Sequence, residues 1–167
     1  ATHTTRNPQL FEQALEWAAA GGSIDVTVGP DPVPPDPEVR FEDAIARFKG
    51  LGLPFSRLIA SSDSNGSLPV FDGDGRLVRL TIATEKDLFR KFTEVLRRGL
   101  LPVETAARVF STNAADFYKL GKKGRVEAGR DADLIVLDRD LALSDVFARG
   151  RRMIAGGRLL ARGTFSA

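Results

Sequence analysis

The chain has 167 residues, 43% of them hydrophobic and 28% charged, enough for one well-buried core or for one domain with an appendage. It holds no cysteine and one histidine, His3, which excludes zinc fingers, disulfide frameworks and thiol nucleophiles, and means that a site needing two histidines cannot be completed from this chain alone. Twenty-four Lys and Arg nearly balance 22 Asp and Glu, no apolar run approaches the roughly 20 residues of a membrane span, and no signal-peptide pattern opens the chain, so a cytoplasmic location without membrane partners is expected.

The opening Ala1-Thr2-His3 carries no methionine and reads as the end of a strand, so a processed, cleaved or truncated product is expected. Asn7 and Pro8 form a helix start, Asn7 as N-cap and Pro8 at the first helical position. Leu10, Phe11, Ala14, Leu15 and Ala18 recur at helical spacing until Gly21-Gly22. Residues 23–28 alternate as a strand. Residues 29–37 hold five of the nine prolines and predict a stiff, irregular loop. A helix is expected over 38–49, with Phe41, Ala44, Ile45 and Phe48 on one face, then a strand over 57–61. Strand end, helix, strand, helix, strand is the order of βαβ units with a parallel sheet.

Further on, 70–80 predicts a hairpin turned at Asp72-Gly73-Asp74-Gly75. Thr84 with Asp87 is a capping-box pattern for a helix over 85–98, Pro102 opens another towards Phe110, and Ser111-Thr112-Asn113 offers a cap for a short helix through Tyr118. The tail, 125–167, changes to short apolar strands at 134–137, 146–148 and 158–161, separated by turns at Gly150 and Gly156-Gly157, a small antiparallel β unit. The densest basic group, Arg149, Arg151 and Arg152, lies beside that hairpin rather than along a helix with interleaved aromatics, so nucleic acid is not an expected partner despite a pI near 9.2. The expected division is 1–120 for the α/β part and 121–167 for the β unit. A complete (β/α)₈ barrel takes about 250 residues. The α/β part therefore reads either as a small open domain or as the closing part of a barrel.

Two polar clusters fall at strand ends, where α/β folds place their chemistry: Thr2-His3-Thr4-Thr5-Arg6-Asn7 and Ser61-Ser62-Asp63-Ser64-Asn65-Gly66-Ser67. His3 and Asp63 are of the types that bind a catalytic divalent metal, and Asp63 could also move a proton. Arg6 could hold a carboxylate, and Ser67, in a Gly-containing loop, could bond a polar substrate group. Taken singly, each also has an ordinary structural reading. His3 is then a solvated or hydrogen-bonded residue near a chain end, Asp63 a turn former, Arg6 a surface residue beside a helix start and Ser67 a local cap.

The run from Gly121 through Gly129-Arg130-Asp131-Ala132-Asp133-Leu134 to Asp138 resembles the C-terminal signature of the amidohydrolase superfamily, with its aspartates in structural roles. Both polar clusters, Pro8, Phe11-Glu12-Gln13-Ala14, the stretch 21–27 and the ending Gly163-Thr164-Phe165 are similar to the isoaspartyl dipeptidase family. The resemblance implies the C-terminal part of a (β/α)₈ metal-dependent hydrolase barrel plus a small antiparallel β unit. It makes His3 a ligand of one zinc of a binuclear pair and Asp63 both a zinc ligand and the proton shuttle. Arg6 would grip the carboxylate of the leaving amino acid, Ser67 the α-carboxylate of the isoaspartyl residue, and a metal-bound hydroxide would attack the β-amide. The family's remaining ligands, a His-x-His strand, a carboxylated lysine and another histidine, would lie before Ala1. The expected partners are therefore the N-terminal portion of the same protein, a small dipeptide and further copies in a homo-oligomer, and the isolated chain is expected to be inert. Alternatives are an amidohydrolase of the dihydropyrimidinase type, against which Arg6 and Ser67 speak, and a non-catalytic binding or scaffold module.

Overall fold

A computed structural model describes residues 1–29 and 38–161; the Pro-rich loop expected at 29–37, apart from Gly29, and the ending at Gly163 lie outside the described residues. The chain divides into two units, Ala1–Ala114 and Ala115–Ala167.

In the first unit, α1 (Pro8–Ala19) starts where Asn7 Oδ1 accepts the Leu10 N–H at 2.7 Å, with Pro8 at the first turn, where no donor is lost. Phe11, Ala14, Leu15 and Ala18 form its buried stripe, whereas Leu10, one position off that stripe, is exposed. Strands β1 (Ile24–Thr27) and β2 (Leu58–Ser61) pair in parallel, Ile24 opposite Leu58 through Thr27 opposite Ser61. The pleat turns Ile24 and Val26, with Leu58 and Ala60, into the core, where residues of α1 and of α2 (Phe41–Gly50) join them. Asp25, Thr27, Ile59 and Ser61 share the opposite face. Helix α2 begins three residues later than expected: Arg40 is still extended, and the Val39 N–H donates to Thr5 O at 2.8 Å. Arg57 belongs to a 3₁₀ turn, Phe55–Arg57, rather than to β2.

The strand end expected at the opening is not a strand. Asp25 N–H donates to Ala1 O at 2.9 Å and Asp25 O accepts from Thr4 N–H at 3.2 Å, a separation of three residues where a parallel ladder allows two. The extra residue is accommodated at His3, whose φ of 53° takes the backbone through the left-handed region.

Beyond β2, an antiparallel hairpin of β3 (Ser67–Phe71) and β4 (Leu77–Ile82) extends past both ends of the expected 70–80. Its turn is held by Asp72 Oδ1, which accepts the N–H groups of Asp74 and Arg76 at 3.0 and 2.9 Å. Helix α3 (Glu85–Arg97) carries the expected capping box, Thr84 N–H donating to Asp87 Oδ2 at 3.2 Å. The two short helices expected after Pro102 are one continuous stretch: α4 (Val103–Ala107), a π turn over Arg108–Thr112, and α5 (Asn113–Phe117). Asn113 is helical rather than a cap, and its buried Nδ2 donates to Phe55 O at 2.7 Å and Leu58 O at 2.8 Å, fastening this stretch to the start of β2. Phe110, in the π turn, packs edge-on against both Phe41 of α2 and Phe92 of α3. Among the described residues no helix is long and apolar enough to cross a membrane.

The second unit holds an antiparallel sheet in the order β5 (Leu134–Leu137), β6 (Leu143–Ala148), β7 (Arg151–Ala155), β8 (Arg158–Leu159). Strand β7, unnamed in the sequence reading, pairs with β6 across the Arg149-Gly150 turn, where both residues have positive φ, as a two-residue hairpin requires. The acidic signature is structural in this unit. Lys123 Nζ lies 2.8 Å from Asp131 Oδ2 and bonds Asp133 as well, while Asp133 Oδ1 accepts the Arg149 N–H at 2.7 Å. The Lys123 ammonium, followed by the Arg149 amide, holds the Asp133 carboxyl below its ordinary value. A carboxylate with a lowered folded pKa contributes stability above its unfolded pKa and loses it as pH falls through the folded one. Acid titration of wild type is therefore expected to show a stability loss below the ordinary carboxylate range that Asp133→Asn lacks, measured by denaturation at a series of pH values.

Candidate metal and substrate site

Three of the four sequence-predicted residues come together in the first unit. His3 through Arg6 forms a tight turn, closed by Arg6 N–H donating to His3 O at 3.3 Å, so that both side chains leave it near each other. They meet Asp63, which follows the end of β2 by two residues. His3 Nε2 lies 3.7 Å from Asp63 Oδ1, and Arg6 Nη2 donates to Asp63 Oδ2 at 3.0 Å. The other imidazole nitrogen, Nδ1, lies 2.8 Å from Thr27 Oγ1. Ser67 is the fourth. It stands exposed as the first residue of β3, not in a loop, and its backbone register with Ile82 determines its place.

The backbone at both candidate ligands is unusual. His3 and Asp63 have φ of 53° and 48°, a region that non-glycine residues adopt at a cost and that is concentrated at functional sites. The Asp63 loop is held in that shape from both sides: Gly66 N–H donates to Asp63 O at 2.8 Å, Asn65 N–H to Ala83 O at 3.0 Å, and Ala83 N–H to Gly66 O at 3.1 Å. Gly66 is required by proximity, since a Cβ there would lie 2.8 Å from Asp63 O and 2.9 Å from its Oδ1. Gly66→Ala is thus expected to displace the Asp63 carboxylate and with it the Arg6–Asp63 bond, seen as changed chemical shifts of both side chains with the fold retained by circular dichroism.

The donor set suits a divalent ion. An ion such as zinc sits about 2.0–2.2 Å from nitrogen and oxygen ligands, so two of them stand roughly 3.3–3.8 Å apart at tetrahedral to trigonal angles. The His3–Asp63 separation of 3.7 Å falls in that span and is too long for a direct hydrogen bond. Two donors do not complete a site, and no group of three or more His, Asp or Glu gathers around an ion among the described residues.

Two residues that the sequence reading passed over brace this arrangement. Thr27 touches His3, and Asp25 Oδ2 accepts hydroxyl bonds from Thr2 at 2.7 Å and Ser61 at 2.9 Å, tying the His3 turn to the end of β2. The signal was present in the alternation Ile24-Asp25-Val26-Thr27, which puts two polar side chains on the face of a parallel strand away from its helices.

Residues 15–157 match the Amidohydrolase family, and the chain belongs to it. Its first unit is accordingly part of a barrel-type α/β fold. Among solved structures the chain is similar to the β-aspartyl dipeptidase of Fervidobacterium islandicum AW-1 in complex with a β-Asp-Leu dipeptide, at 33% identity and a TM-score of 0.80 over 98% of this chain and 42% of that one. A second structure of that enzyme gives 29% identity and a TM-score of 0.75, over 98% of this chain and 39% of that one. An adenine deaminase of Mesorhizobium japonicum is 35% identical over 83 residues, 47% of this chain and 13% of that protein. The chain thus spans less than half the length of each of these relatives.

Proposed function

We propose that the chain contributes one side of the active site of a zinc-dependent β-aspartyl dipeptidase. The observation that supports this reading best is the convergence of His3, Arg6 and Asp63 on one point from two segments nearly 60 residues apart, in a chain similar throughout to such an enzyme. His3 Nε2 and Asp63 Oδ1 would hold zinc, which when bound supplies Lewis acidity at the scissile carbonyl and lowers the pKa of water. Asp63 takes the proton of the water that adds to the β-amide and delivers it to the departing amine, so that one C–N bond breaks and one C–O bond forms. Arg6 uses one N–H to hold Asp63 and, being about half exposed, keeps the rest of its fork for the carboxylate of the leaving amino acid. Ser67, exposed at the start of β3, bonds the α-carboxylate of the isoaspartyl residue.

In this reading the remaining ligands come from the N-terminal portion of the same protein, the assembled enzyme is a cytoplasmic homo-oligomer, and the chain alone is inert. The test compares β-Asp-Leu, α-Asp-Leu and a cyclic ureide as substrates of the zinc-loaded protein that contains this chain. Cleavage of the β-linked dipeptide alone is the expected result. Hydrolysis of only the ureide overturns the substrate assignment in favour of a dihydropyrimidinase-type enzyme, and turnover by the isolated 167-residue chain overturns the claim that ligands from elsewhere are required.

A further inference from the structure

We infer that the outer edge of β4 is where two copies of this chain pair, antiparallel about a two-fold axis at Leu80. The β3–β4 hairpin is a sheet of two strands, which is marginal by itself. Five of its large apolar side chains, Phe71, Leu77, Val78, Leu80 and Ile82, are 51–66% exposed. Single exposed apolar residues are ordinary, but five on one hairpin mark a contact surface.

The backbone decides which edge is open. Ala83 N–H donates to Gly66 O and Asn65 N–H to Ala83 O, so the alternation of an antiparallel ladder makes Leu68 with Thr81 and Val70 with Arg79 the next bonded pairs. The N–H and C=O groups of Leu80 and Ile82 therefore point away from β3, and among the described residues no other strand bonds them. On the far side of the hairpin, Pro69 falls at an outward position, where it has no N–H to offer. Strand addition is thus open at β4 and blunted at β3, which gives a closed pair rather than a fibre.

Charge and pattern select a second copy as the occupant and set the register. A strand paired with itself about a two-fold axis must place outward groups opposite outward groups, and the centres that keep most of β4 (Leu77–Ile82) paired are Arg79 and Leu80. A centre at Arg79 sets two guanidinium groups face to face, which is unfavourable. A centre at Leu80 puts Leu80 against Leu80, Val78 against Ile82 and Arg79 against the uncharged Thr81 of the second copy. Apolar residues at 78, 80 and 82 read alike from either end, the self-complementarity that a two-fold contact needs. Ser67 stands directly opposite Ile82, so the resulting four-stranded sheet steadies the strand that carries the proposed substrate residue. The inference rests on the homo-oligomer of the proposed function and names its contact.

The chain has no cysteine, so one substitution supplies one thiol. Sedimentation of the 167-residue chain over a range of concentrations should show a dimer. Leu80→Lys, which sets two ammonium groups face to face, should raise the dissociation constant about 100-fold or more with the circular dichroism spectrum unchanged. Leu80→Cys should give a disulfide-linked dimer under mild oxidation, since the Cα atoms of a bonded antiparallel pair stand about 5.5 Å apart. Val78→Cys and Ile82→Cys chains should cross-link when mixed and not separately. A monomeric wild type overturns both the inference and the homo-oligomer. A dimer whose affinity Leu80→Lys leaves unchanged, or which Leu80→Cys does not link, overturns the inference alone. In the protein that contains this chain, a Leu80→Cys thiol shielded from alkylation in a monomer assigns the edge to the N-terminal portion and overturns it too. None of these outcomes depends on cleavage of a β-aspartyl dipeptide.

Discussion

Asp63→Asn, made in the proposed dipeptidase, is expected to lower kcat for a β-aspartyl dipeptide by about 10²–10⁴, the range that a positioned proton-transfer group contributes. The substitution keeps the shape of the side chain and a hydrogen-bond acceptor for Arg6, but removes the negative oxygen that faces His3 Nε2. Stability should hardly change. The Arg6–Asp63 pair is only partly buried, with the Arg6 side chain 44% exposed, and such pairs contribute about 0–1 kcal/mol. Steady-state kinetics and a thermal melt on the same sample therefore separate chemistry from folding. A fall in kcat below tenfold, with the melt unchanged, removes Asp63 from the proton-transfer role.

The largest effect on stability is expected from Lys91. This residue of α3 is buried, with its Nζ 2.8 Å from Glu42 Oε1 on α2 and 3.1 Å from Glu94 Oε2. Arg98 reaches the same two carboxylates at 3.4 and 2.9 Å, and Glu42 itself is buried. Removing one partner of such a network leaves a desolvated charge behind, which costs about 3–5 kcal/mol. Lys91→Ala is thus expected to lower the melting temperature by roughly 6–20 °C in a chain of this size. The double replacement Lys91→Met with Glu42→Leu should recover most of that loss, because no charge is then left buried without its partner. A Lys91→Ala loss below about 1 kcal/mol means that water or the remaining cations solvate Glu42 in place of Lys91.

Much of the fold was legible because its signals are local. Asn7 and Pro8 start α1 through bonds made within one turn, Thr84 and Asp87 do the same for α3, and Arg149-Gly150 adopts the backbone that a two-residue hairpin needs. Where the sequence reading went astray, a distant partner decides the local structure. Ser111-Thr112-Asn113 resembles a helix cap, yet Asn113 is bonded to carbonyls more than 50 residues earlier and the helix runs through it with a π turn. The opening residues look like a strand because Thr is common in strands, but the His3 φ and the three-residue spacing across Asp25 prevent a ladder.

The candidate site follows the same rule. His3, Arg6 and Asp63 were found because their residue types carry chemistry at expected strand ends; Asp63 does follow β2, whereas the His3 turn is not a strand and is carried there by its bonds to Asp25 of β1, which pairs with β2. Thr27 and Asp25 were missed because the alternation of β1 shows two polar side chains on one strand face but not the distant residues, His3, Thr2 and Ser61, that they touch. Ser67 was taken for a loop residue since the hairpin's start depends on pairing with Ile82, 15 residues away, which its own neighbours do not encode.

The most direct test of the proposed role of this chain is the hydrolysis of β-Asp-Leu by the zinc-loaded protein that contains it, measured with zinc content per chain for wild type and His3→Ala. The expected result is cleavage at the β-amide by wild type, with both activity and bound zinc lost in His3→Ala. Undiminished hydrolysis and full zinc content in His3→Ala would contradict the assignment of His3, and with it the metal site built from His3 and Asp63.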